Sequence, residues 1–343
     1  MNQRLMCRFW MPLLLTLALL PPVSAVAAET DAAAEEDMPV LTQPQEEMPV
    51  LYQVEKQTRV PWYYLAAVNQ YEMGIHWQKN RQNQNASPIQ IEMPVEKWSG
   101  PVNPQLEDKN PMTIKLFGGI GLDGNNDKKA DRLDPVDELF TMAKYLGRSG
   151  HDEDSMRRAL WDYYQDGIVV DRITGFARIF QQEGTLSVKG NSFPIPLRYN
   201  YSYRSTWGDA RGWGGRRSHE GCDIFASTGT PVLSTAYGVV EVAGWNKFGG
   251  WRIGIRDLNN VYHYYAHLSG FEKGMKRGSI VKPGQVIGYV GSTGYGRPGT
   301  SGKFAPHLHY GMYRDTGNRE WAFDPTPHLR KWEREAKISR KKK

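Results

Sequence analysis

The sequence predicts an α+β protein of two domains, with a helical N-terminal half and an all-β antiparallel C-terminal half. Residues 51–185 show apolar side chains at helical spacing between capping residues and glycines. Residues 197–330 hold 23 of the 35 glycines and six of the eight histidines, and short β-branched or aromatic runs alternate there with Gly and Pro turns. With 343 residues, 40% of them apolar, the chain is long enough for one or two packed domains.

The N-terminus has the layout of a secretory signal peptide. Arg4 and Arg8 precede an apolar run over residues 9–20, and small residues follow, which predicts cleavage after Ala27. An uncleaved membrane anchor is the alternative, although the run is short for a span of about 20 residues. We therefore expect residues 1–27 to be removed, and an extracytoplasmic protein with no stable membrane span.

Charge is distributed unevenly along a chain whose net charge is +6. Residues 28–50 carry seven acidic residues and no basic one, which predicts a solvated acidic linker. The rest of the chain is basic, and residues 331–343 are expected to form a basic tail. A basic body suits an anionic polymer, either nucleic acid or cell wall. An exported protein does not meet nuclear or cytosolic nucleic acid. We therefore expect it to bind no nucleic acid.

Four helices are predicted in residues 51–185, followed by a hinge at residues 186–196. Pro or Asp marks a helix start and Gly marks a helix end. The predicted limits are Pro61 to about Met73, Asp134 to Gly147, Asp154 to Gly167, and a segment around Ile173 that ends at Gly184. Six strands are predicted after the hinge, at Pro231–Thr235, Val239–Ala243, Trp251–Arg256, Val261–Leu268, Val286–Val290 and His307–Tyr313.

Histidine and aspartate residues in the C-terminal half have the spacing of metal ligands. His219 and Asp223 form an H-x-x-x-D unit, and His307 and His309 form an H-x-H unit. Side chains two apart on a strand share a face, so both imidazoles of the second unit can enter one site. Zinc in a hydrolytic site takes three nitrogen or oxygen ligands and leaves a fourth position for water. The pattern therefore favours a metal site, with a further histidine available for proton transfer.

His263 and Cys222 each have both a functional and a structural interpretation. His263 and His267 are four apart on a predicted strand and are expected to share a face, so that His263 either orients a ligand or packs within the sheet. Cys222 precedes Asp223 and is expected to face the opposite way, as a small buried residue rather than a thiolate ligand.

Successive motifs of residues 197–330 resemble those of the lysostaphin/LytM-like zinc metallopeptidases. In chain order they are His219-x-x-x-Asp223-Ile224, Gly229-Thr230-Pro231-Val232, Tyr265-Ala266-His267-Leu268, Gly284-Gln285-x-Ile287-Gly288-x-Val290-Gly291, Ser292-Thr293-Gly294 and Pro306-His307-Leu308-His309-Tyr310. The resemblance implies a lysostaphin-type antiparallel peptidase domain. It also implies that His219, Asp223 and His309 bind one zinc ion, and that His267 and His307 are catalytic.

The same resemblance implies a substrate class. Similar enzymes hydrolyse peptide bonds of bacterial peptidoglycan through a zinc-activated water, so the expected partner is the cell wall or the spore cortex. The order of motifs across residues 51–330, including residues 207–217, is most similar to members of the family that cleave L-Ala–D-Glu bonds during spore cortex maturation. A non-catalytic wall-binding or regulatory module is the alternative, since members that lack the five residues have such roles.

One segment of the N-terminal half resembles the lysozyme-like domain of lytic transglycosylases. Residues 60–68, followed by Tyr71-Glu72, are similar to the helix that carries the catalytic acid of those enzymes. The resemblance implies that Glu72 protonates a glycosidic oxygen, which would make a bifunctional wall hydrolase. The Gly, Ser and Gln segments that usually follow are not evident. A solvated helix carboxylate, in a domain that binds or positions the wall, is therefore the other interpretation.

Residues 123–134 are similar to an EF-hand calcium loop. Oxygen-bearing side chains occupy loop positions 1, 3, 5, 9 and 12, at Asp123, Asn125, Asp127, Asp131 and Asp134. Lys128 stands where such loops have glycine. A calcium site and a turn that caps the next helix are both compatible with this pattern.

Three arginines flank His219. Arg211, Arg216 and Arg217 could pair with the carboxylates of a stem peptide through bidentate contacts. A solvated basic loop is the other interpretation.

Overall fold

The N-terminal part of the chain is helical and the C-terminal part is an antiparallel β domain in the computed structural model, as the sequence predicts for each. The structure describes residues 44–76, 88–212, 217–315, 317 and 319–341. The predicted signal peptide and most of the acidic linker lie outside these ranges. Within them, no helix is both long and apolar enough to cross a bilayer.

The helical part contains seven described α-helices and a short 3₁₀ turn, Gly147–Ser149. The helices are α1 (Pro44–Thr58), α2 (Trp62–Ile75), α3 (Val95–Ser99), α4 (Pro111–Leu116), α5 (Pro135–Leu146), α6 (Glu153–Tyr164) and α7 (Gly167–Glu183). The predicted cap of α5 is confirmed, because the Asp134 carboxylate accepts hydrogen bonds from the amides of Val136 and Asp137. Gly184 ends α7 in the left-handed conformation, as expected.

The boundary between α6 and α7 differs from the prediction. Asp152, two residues before the predicted start, caps α6 by accepting the amide of Ser155 at 3.0 Å. Gly167 was expected to end α6, yet it is the first residue of α7. Gln165 ends α6 instead, at a φ of 54°, and Asp166 caps α7. The position of Gly167 alone does not show whether this glycine ends one helix or begins the next, so the glycine spacing misplaced the turn.

Segments expected to be linker, hinge or tail are packed in the structure. Helix α1 begins at Pro44, so residues 44–50 of the predicted linker belong to it, and its Leu51 and Val54 side chains are buried. Residues 186–196 contribute Leu186 and Val188 to the core of the helical part and Phe193 and Ile195 to the core of the sheet.

The predicted basic tail is mostly helix. Helix α8 spans Thr326–Lys341, and Leu329 and Trp332 are buried against the sheet. Leu329 and Trp332 therefore anchor the first half of this helix on the β domain, whereas residues 333–341, Ile338 among them, are partly or fully exposed.

The β domain is built on one antiparallel sheet. Its strands are β1 (Tyr201–Tyr203), β4 (Cys222–Ala226), β5 (Pro231–Leu233), β6 (Gly238–Asn246), β7 (Gly250–Asp257), β8 (Val261–Phe271), β9 (Ile280–Val281), β10 (Val286–Val290), β11 (His307–Asp315) and β12 (Glu320–Phe323), while β2 (Ala210–Arg211) and β3 (Arg217–Ser218) form a separate pair. The order along the sheet is β1-β4-β11-β8-β7-β6-β9, with β10 between β5 and β8 and with β12 beside β11. All six predicted strands are present.

The two faces of this sheet have different roles. Alternate residues of β4, β8 and β11 form an apolar core, in which Cys222, Tyr265, Leu308 and Tyr310 are fully buried. Cys222 therefore packs as a small buried residue, as expected. The remaining alternate residues carry the polar groups described below.

Charged residues join the helical part to the sheet. Arg172 of α7 donates to Glu241 of β6 at 2.7 Å and pairs with Asp315 of β11. Arg256 of β7 contacts the same Glu241 at 3.1 Å. Because these side chains are largely withdrawn from water, the ion pairs hold α7 at a defined position on the sheet.

Candidate active site

Three of the predicted ligands meet on the polar face of the sheet. Asp223 of β4 lies directly opposite His309 of β11 in the strand register, and His219 lies in the loop before β4. His219 Nε2 is 2.9 Å from His309 Nδ1 and 3.1 Å from Asp223 Oδ1, and His309 Nδ1 is 3.0 Å from the same oxygen. Two nitrogens and one oxygen thus converge on a common point.

The geometry of this triad fits a tetrahedral zinc ion. Bonds of about 2.0–2.1 Å to a tetrahedral ion separate the ligand atoms by about 3.3 Å, close to the three observed distances. Among the described residues, His219, Asp223 and His309 are the only group of three or more His, Cys, Asp or Glu side chains close enough to share an ion. The donor set of two imidazoles and one carboxylate leaves a fourth position open, as in catalytic zinc sites.

Neighbouring groups aim the two imidazoles. His219 Nδ1 is 2.6 Å from the carbonyl oxygen of Thr206, and since a carbonyl only accepts, Nδ1 carries the proton and Nε2 keeps its lone pair. Gly221 lies under the ring of His309, where a Cβ atom would come within 2.6 Å of Cε1. The glycine at this position therefore leaves space that the ligand ring occupies.

Asp223 is held ionised by its surroundings. Burial opposes ionisation most strongly, but the neighbouring imidazoles of His219 and His309 outweigh it and hold the pKa of the Asp223 carboxyl well below its usual range. Arg211 pairs with the second carboxylate oxygen, Oδ2. Arg211, considered above as a substrate-binding residue, therefore also orients the Asp223 carboxylate.

The two predicted catalytic histidines lie beside the triad. The ring centres of His267 and His307 are 4.8 Å apart, and that of His267 is 5.9 Å from His309. His267 Nδ1 donates to the carbonyl of Thr293 at 2.8 Å, and His307 Nδ1 donates to that of Ala305 at 2.8 Å. Both rings therefore present an unprotonated Nε2.

Burial keeps these imidazoles neutral. Desolvation, together with the neighbouring His309 and His307, lowers the pKa of His267 to about 3. Burial also lowers the pKa of His307, against the opposing charge of Asp223. At neutral pH each of these imidazoles therefore keeps a lone pair on Nε2, facing the cavity.

His263 does not enter the site, and the expectation that it shares a face with His267 is wrong. The register between β7 and β8 shifts between Trp251 and Ile253, and His267 has a φ of 63°. This irregularity reverses the alternation of side chains, so that His263 points into the core. There its Nε2 lies 3.0 Å from Asp257 Oδ2, and its Nδ1 lies 2.7 Å from the hydroxyl of Tyr310.

The triad and the two histidines lie in a cavity of about 620 Å³. Its walls include residues that the motifs did not identify, namely Arg252, Tyr262, Tyr264, Tyr295, Phe304 and Tyr313. Tyr262 pairs with Arg256 of β7, and its hydroxyl reaches over Gly254, where a Cβ would come within 1.8 Å of it. Tyr262 and Tyr264 precede Ala266, the partner of His309, by even intervals. A prediction of strand pairing would therefore have placed both tyrosines on the face of the sheet that carries His309.

Glu72 lies in the helical part and is not among the residues that line this cavity. It was considered as a solvated carboxylate, but only 4% of the residue is exposed. Its Oε1 accepts a hydrogen bond from the Tyr164 hydroxyl at 2.6 Å, and its Oε2 is 3.4 Å from His76 Nε2. Protein groups therefore occupy both carboxylate oxygens.

Protein groups also satisfy the acidic loop at residues 123–134. Asp123 accepts the amide of Lys128 at 2.8 Å, and Asp127 accepts that of Lys129 at 2.8 Å. Asp131 pairs with Lys109 at 2.6 Å, and Asp134 caps α5. Asn125 Nδ2 donates to Asp134, at 3.2 Å. This geometry supports the turn and cap interpretation, and calcium binding stays a prediction.

The substrate-binding prediction concerns Arg216 and Arg217. Arg216 and the side chain of Arg217 lie outside the residues that the structure describes. Their backbone neighbour Ser218 lines the cavity, which leaves the prediction in place.

Comparisons with known proteins identify similar chains. Residues 217–325 match the model of peptidase family M23. Over 283 residues the chain is 56% identical to an L-Ala–D-Glu endopeptidase of Bacillus subtilis (strain 168), covering 82% of this chain and 87% of that protein. It is 39% identical to lysostaphin of Staphylococcus simulans over 33% of this chain and 21% of that protein. The solved catalytic domain of lysostaphin from Staphylococcus simulans is 33% identical, with a TM-score of 0.32, over 39% of this chain and 93% of that one.

Proposed function

This chain belongs to peptidase family M23, and from that premise we propose that it is a zinc-dependent endopeptidase that cleaves the L-Ala–D-Glu bond of peptidoglycan stem peptides. The observation that carries the proposal is the convergence of His219 Nε2, Asp223 Oδ1 and His309 Nδ1 within about a hydrogen-bond distance of one another. His267 and His307 complete the constellation of an active peptidase. A purely wall-binding or regulatory module needs neither a complete ligand set nor two further neutral histidines.

The mechanism follows from the positions of these groups. Zinc, when bound to His219, Asp223 and His309, supplies a Lewis acid for the scissile carbonyl and for the attacking water. One of the two histidines, His267 or His307, accepts the proton that the water loses. Each offers an unprotonated Nε2 for this step, because its Nδ1–H donates to a backbone carbonyl. Once protonated, such an imidazole stabilises the oxyanion and returns the proton to the leaving amine.

The identity of the bond is supported by the similar endopeptidase of Bacillus subtilis, which is named for the L-Ala–D-Glu bond. That similarity extends over 82% of the chain, so it includes most of the helical part as well as the β domain. We therefore assign the helical part a positioning role toward the wall polymer. Secretion by the segment 1–27 and action on the cell wall or spore cortex complete the proposal.

Glycan cleavage by Glu72 is the second candidate activity. A general acid must reach the glycosidic oxygen, whereas the Glu72 carboxylate is buried and held by Tyr164 and His76. These contacts favour a structural role for Glu72 and leave the peptidase as the activity that the geometry supports best.

Mass spectrometry of digested peptidoglycan tests the proposal. The purified protein, without residues 1–27, should release fragments with new amino-terminal glutamyl residues, and it should produce no new reducing or anhydro sugar ends. His309→Ala should abolish release and the binding of one zinc per chain, whereas His151→Ala, which changes an exposed histidine of the helical part, should alter neither. Digestion without new amino termini would overturn the peptidase proposal, and new sugar ends lost in Glu72→Gln would establish the second activity.

A further inference from the structure

The cavity that holds the triad also contains a guanidinium that the mechanism does not use. Arg252 of β7 lines the cavity, on the same face of the sheet as His309. The ring of Tyr264 lies between them. Its centre is 5.9 Å from the Arg252 guanidinium carbon and 5.8 Å from the His309 ring. By these two distances the guanidinium carbon lies at most about 12 Å from the His309 ring, a span that three or four extended peptide residues of roughly 3.3–3.6 Å each would cover.

Arg252 has hydrogen-bonding capacity that the protein does not use. Its Nε is buried and has no hydrogen-bond partner. Among the described residues, no carboxylate forms an ion pair with it, although other arginines nearby are paired. Arg256, four residues further on the same strand, contacts Glu241 and Glu320, and Arg211 pairs with Asp223.

An arginine in this state matches a carboxylate ligand. A buried donor without an acceptor destabilises the free protein by its desolvation free energy. A substrate group that accepts a hydrogen bond from this donor removes that penalty on binding. The planar guanidinium fork is suited to a bidentate carboxylate, and a site that is partly closed to water strengthens the interaction.

We propose that Arg252 binds a free carboxylate of the glutamyl residue next to the scissile bond and thereby selects acidic over amidated stem peptides. The inference rests on the proposed cleavage of an L-Ala–D-Glu bond. A glutamyl residue has two carboxyl groups, of which only one continues the peptide, and the other is either a free anion or an amide. Arg252 distinguishes these two forms, because only the anion forms a charge-assisted pair.

Kinetics on two matched peptides test this role. Both contain an alanyl–D-glutamyl bond, and they differ only in whether the spare glutamyl carboxyl is free or amidated. The wild-type enzyme should cleave the free form with a kcat/KM about 10- to 100-fold higher, the range expected for a hydrogen bond to a charged group. Arg252→Gln should lose this preference by slowing cleavage of the free form alone, and Arg252→Lys should restore part of it.

Arg277→Gln provides the matched control. It also removes a guanidinium of the β domain, but Arg277 is exposed and pairs with Asp171 outside the cavity. Its kcat/KM should be unchanged with either peptide. Zinc content and Tm are measured for every variant, and Arg252→Lys, which keeps a cation but not the planar fork, takes the place of Arg252→Gln if that variant does not fold; it should show a smaller preference than the wild type.

The outcomes separate the two proposals. Equal cleavage of both peptides by the wild-type enzyme, or an equal loss on both in Arg252→Gln, overturns the role of Arg252 and leaves the peptidase assignment intact. Cleavage of neither peptide by a zinc-loaded wild-type enzyme overturns the assignment of the bond and, with it, this inference.

Discussion

Gly221 lies against the ring of His309, and an alanine there would press directly on this proposed zinc ligand. The added Cβ would lie 2.6 Å from His309 Cε1, 2.9 Å from His309 Nε2 and 2.7 Å from the carbonyl oxygen of Tyr310. The Tyr310 carbonyl is part of the sheet backbone and cannot move away. The His309 imidazole and the loop that carries His219 must therefore move instead. Ordinary contact begins at 3.4 Å, so the ring must move by several tenths of an ångström.

Such a movement exceeds the tolerance of a zinc–ligand bond, which is about 0.2 Å. We therefore expect Gly221→Ala to weaken zinc binding by about 10- to 100-fold, as changes around metal ligands commonly do. The measurement is a competition titration against a chromophoric zinc chelator, with peptidase activity followed over a range of zinc concentrations. Activity should return toward the wild-type level as zinc is raised.

Gly244→Ala is the control for this substitution. Gly244 lies in the same sheet, in β6, and a Cβ built there meets no atom within 4 Å. This variant should bind zinc as the wild-type protein does. If Gly221→Ala also binds zinc with unchanged affinity, then the close contact with His309 does not control the geometry of the site, and the reasoning is refuted.

Three further predictions concern proton transfer, the contact between the helical part and the sheet, and a buried acid. His307→Ala should retain one zinc per chain while losing at least about 100-fold in kcat, because the residue acts on protons rather than on the metal; zinc loss equal to that of His309→Ala would contradict this. Glu241→Gln should lower the free energy of unfolding in urea by about 2–4 kcal/mol, because Arg172 and Arg256 lose a common buried partner, and an unchanged value would contradict it. Burial raises the pKa of Glu138 to about 8, whereas its value in the unfolded chain is about 4.3. Between these two values the folded state keeps a proton that the unfolded chain releases. The contribution of Glu138 to stability is therefore complete below pH 4.3 and is lost as the pH rises to 8. In Glu138→Gln this loss is absent, so the Tm difference between the variant and the wild type should grow between pH 5 and pH 8; a constant difference would refute the shift.

Local patterns predicted the elements well, and they identified the three side chains that converge in the structure. The H-x-H unit lies on β11, where residues two apart share a face by geometry alone, and both histidines line the cavity. The match to family M23 confirms the resemblance drawn from the motifs. The strands of the β domain were also predictable, because glycine and proline mark their ends.

Features that depend on long-range register were not predictable in this way. The irregularity before His267 places it opposite in orientation to His263, although strict alternation would give them one face. Arg252 and Tyr264 join the ligand triad only through the pairing of β7, β8 and β11. No spacing within a single strand contains that information.

Packing between the two halves was likewise beyond the local patterns. Residues 186–196 have the composition of a connection, yet Phe193 and Ile195 are buried in the core of the sheet. Arg172 and Glu241 are distant in sequence, and their pairing follows from the position of α7 on β6. Burial of this kind depends on the partner surface and not on the segment itself.

Diffraction data collected at the zinc absorption edge, from crystals of the zinc-loaded protein, test the central claim most directly. The account predicts one anomalous peak per chain, about 2.0–2.2 Å from His219 Nε2, Asp223 Oδ1 and His309 Nδ1, with His267 and His307 beside it and not bound to it. A zinc peak elsewhere in the molecule, or one coordinated by a different set of side chains, would contradict it.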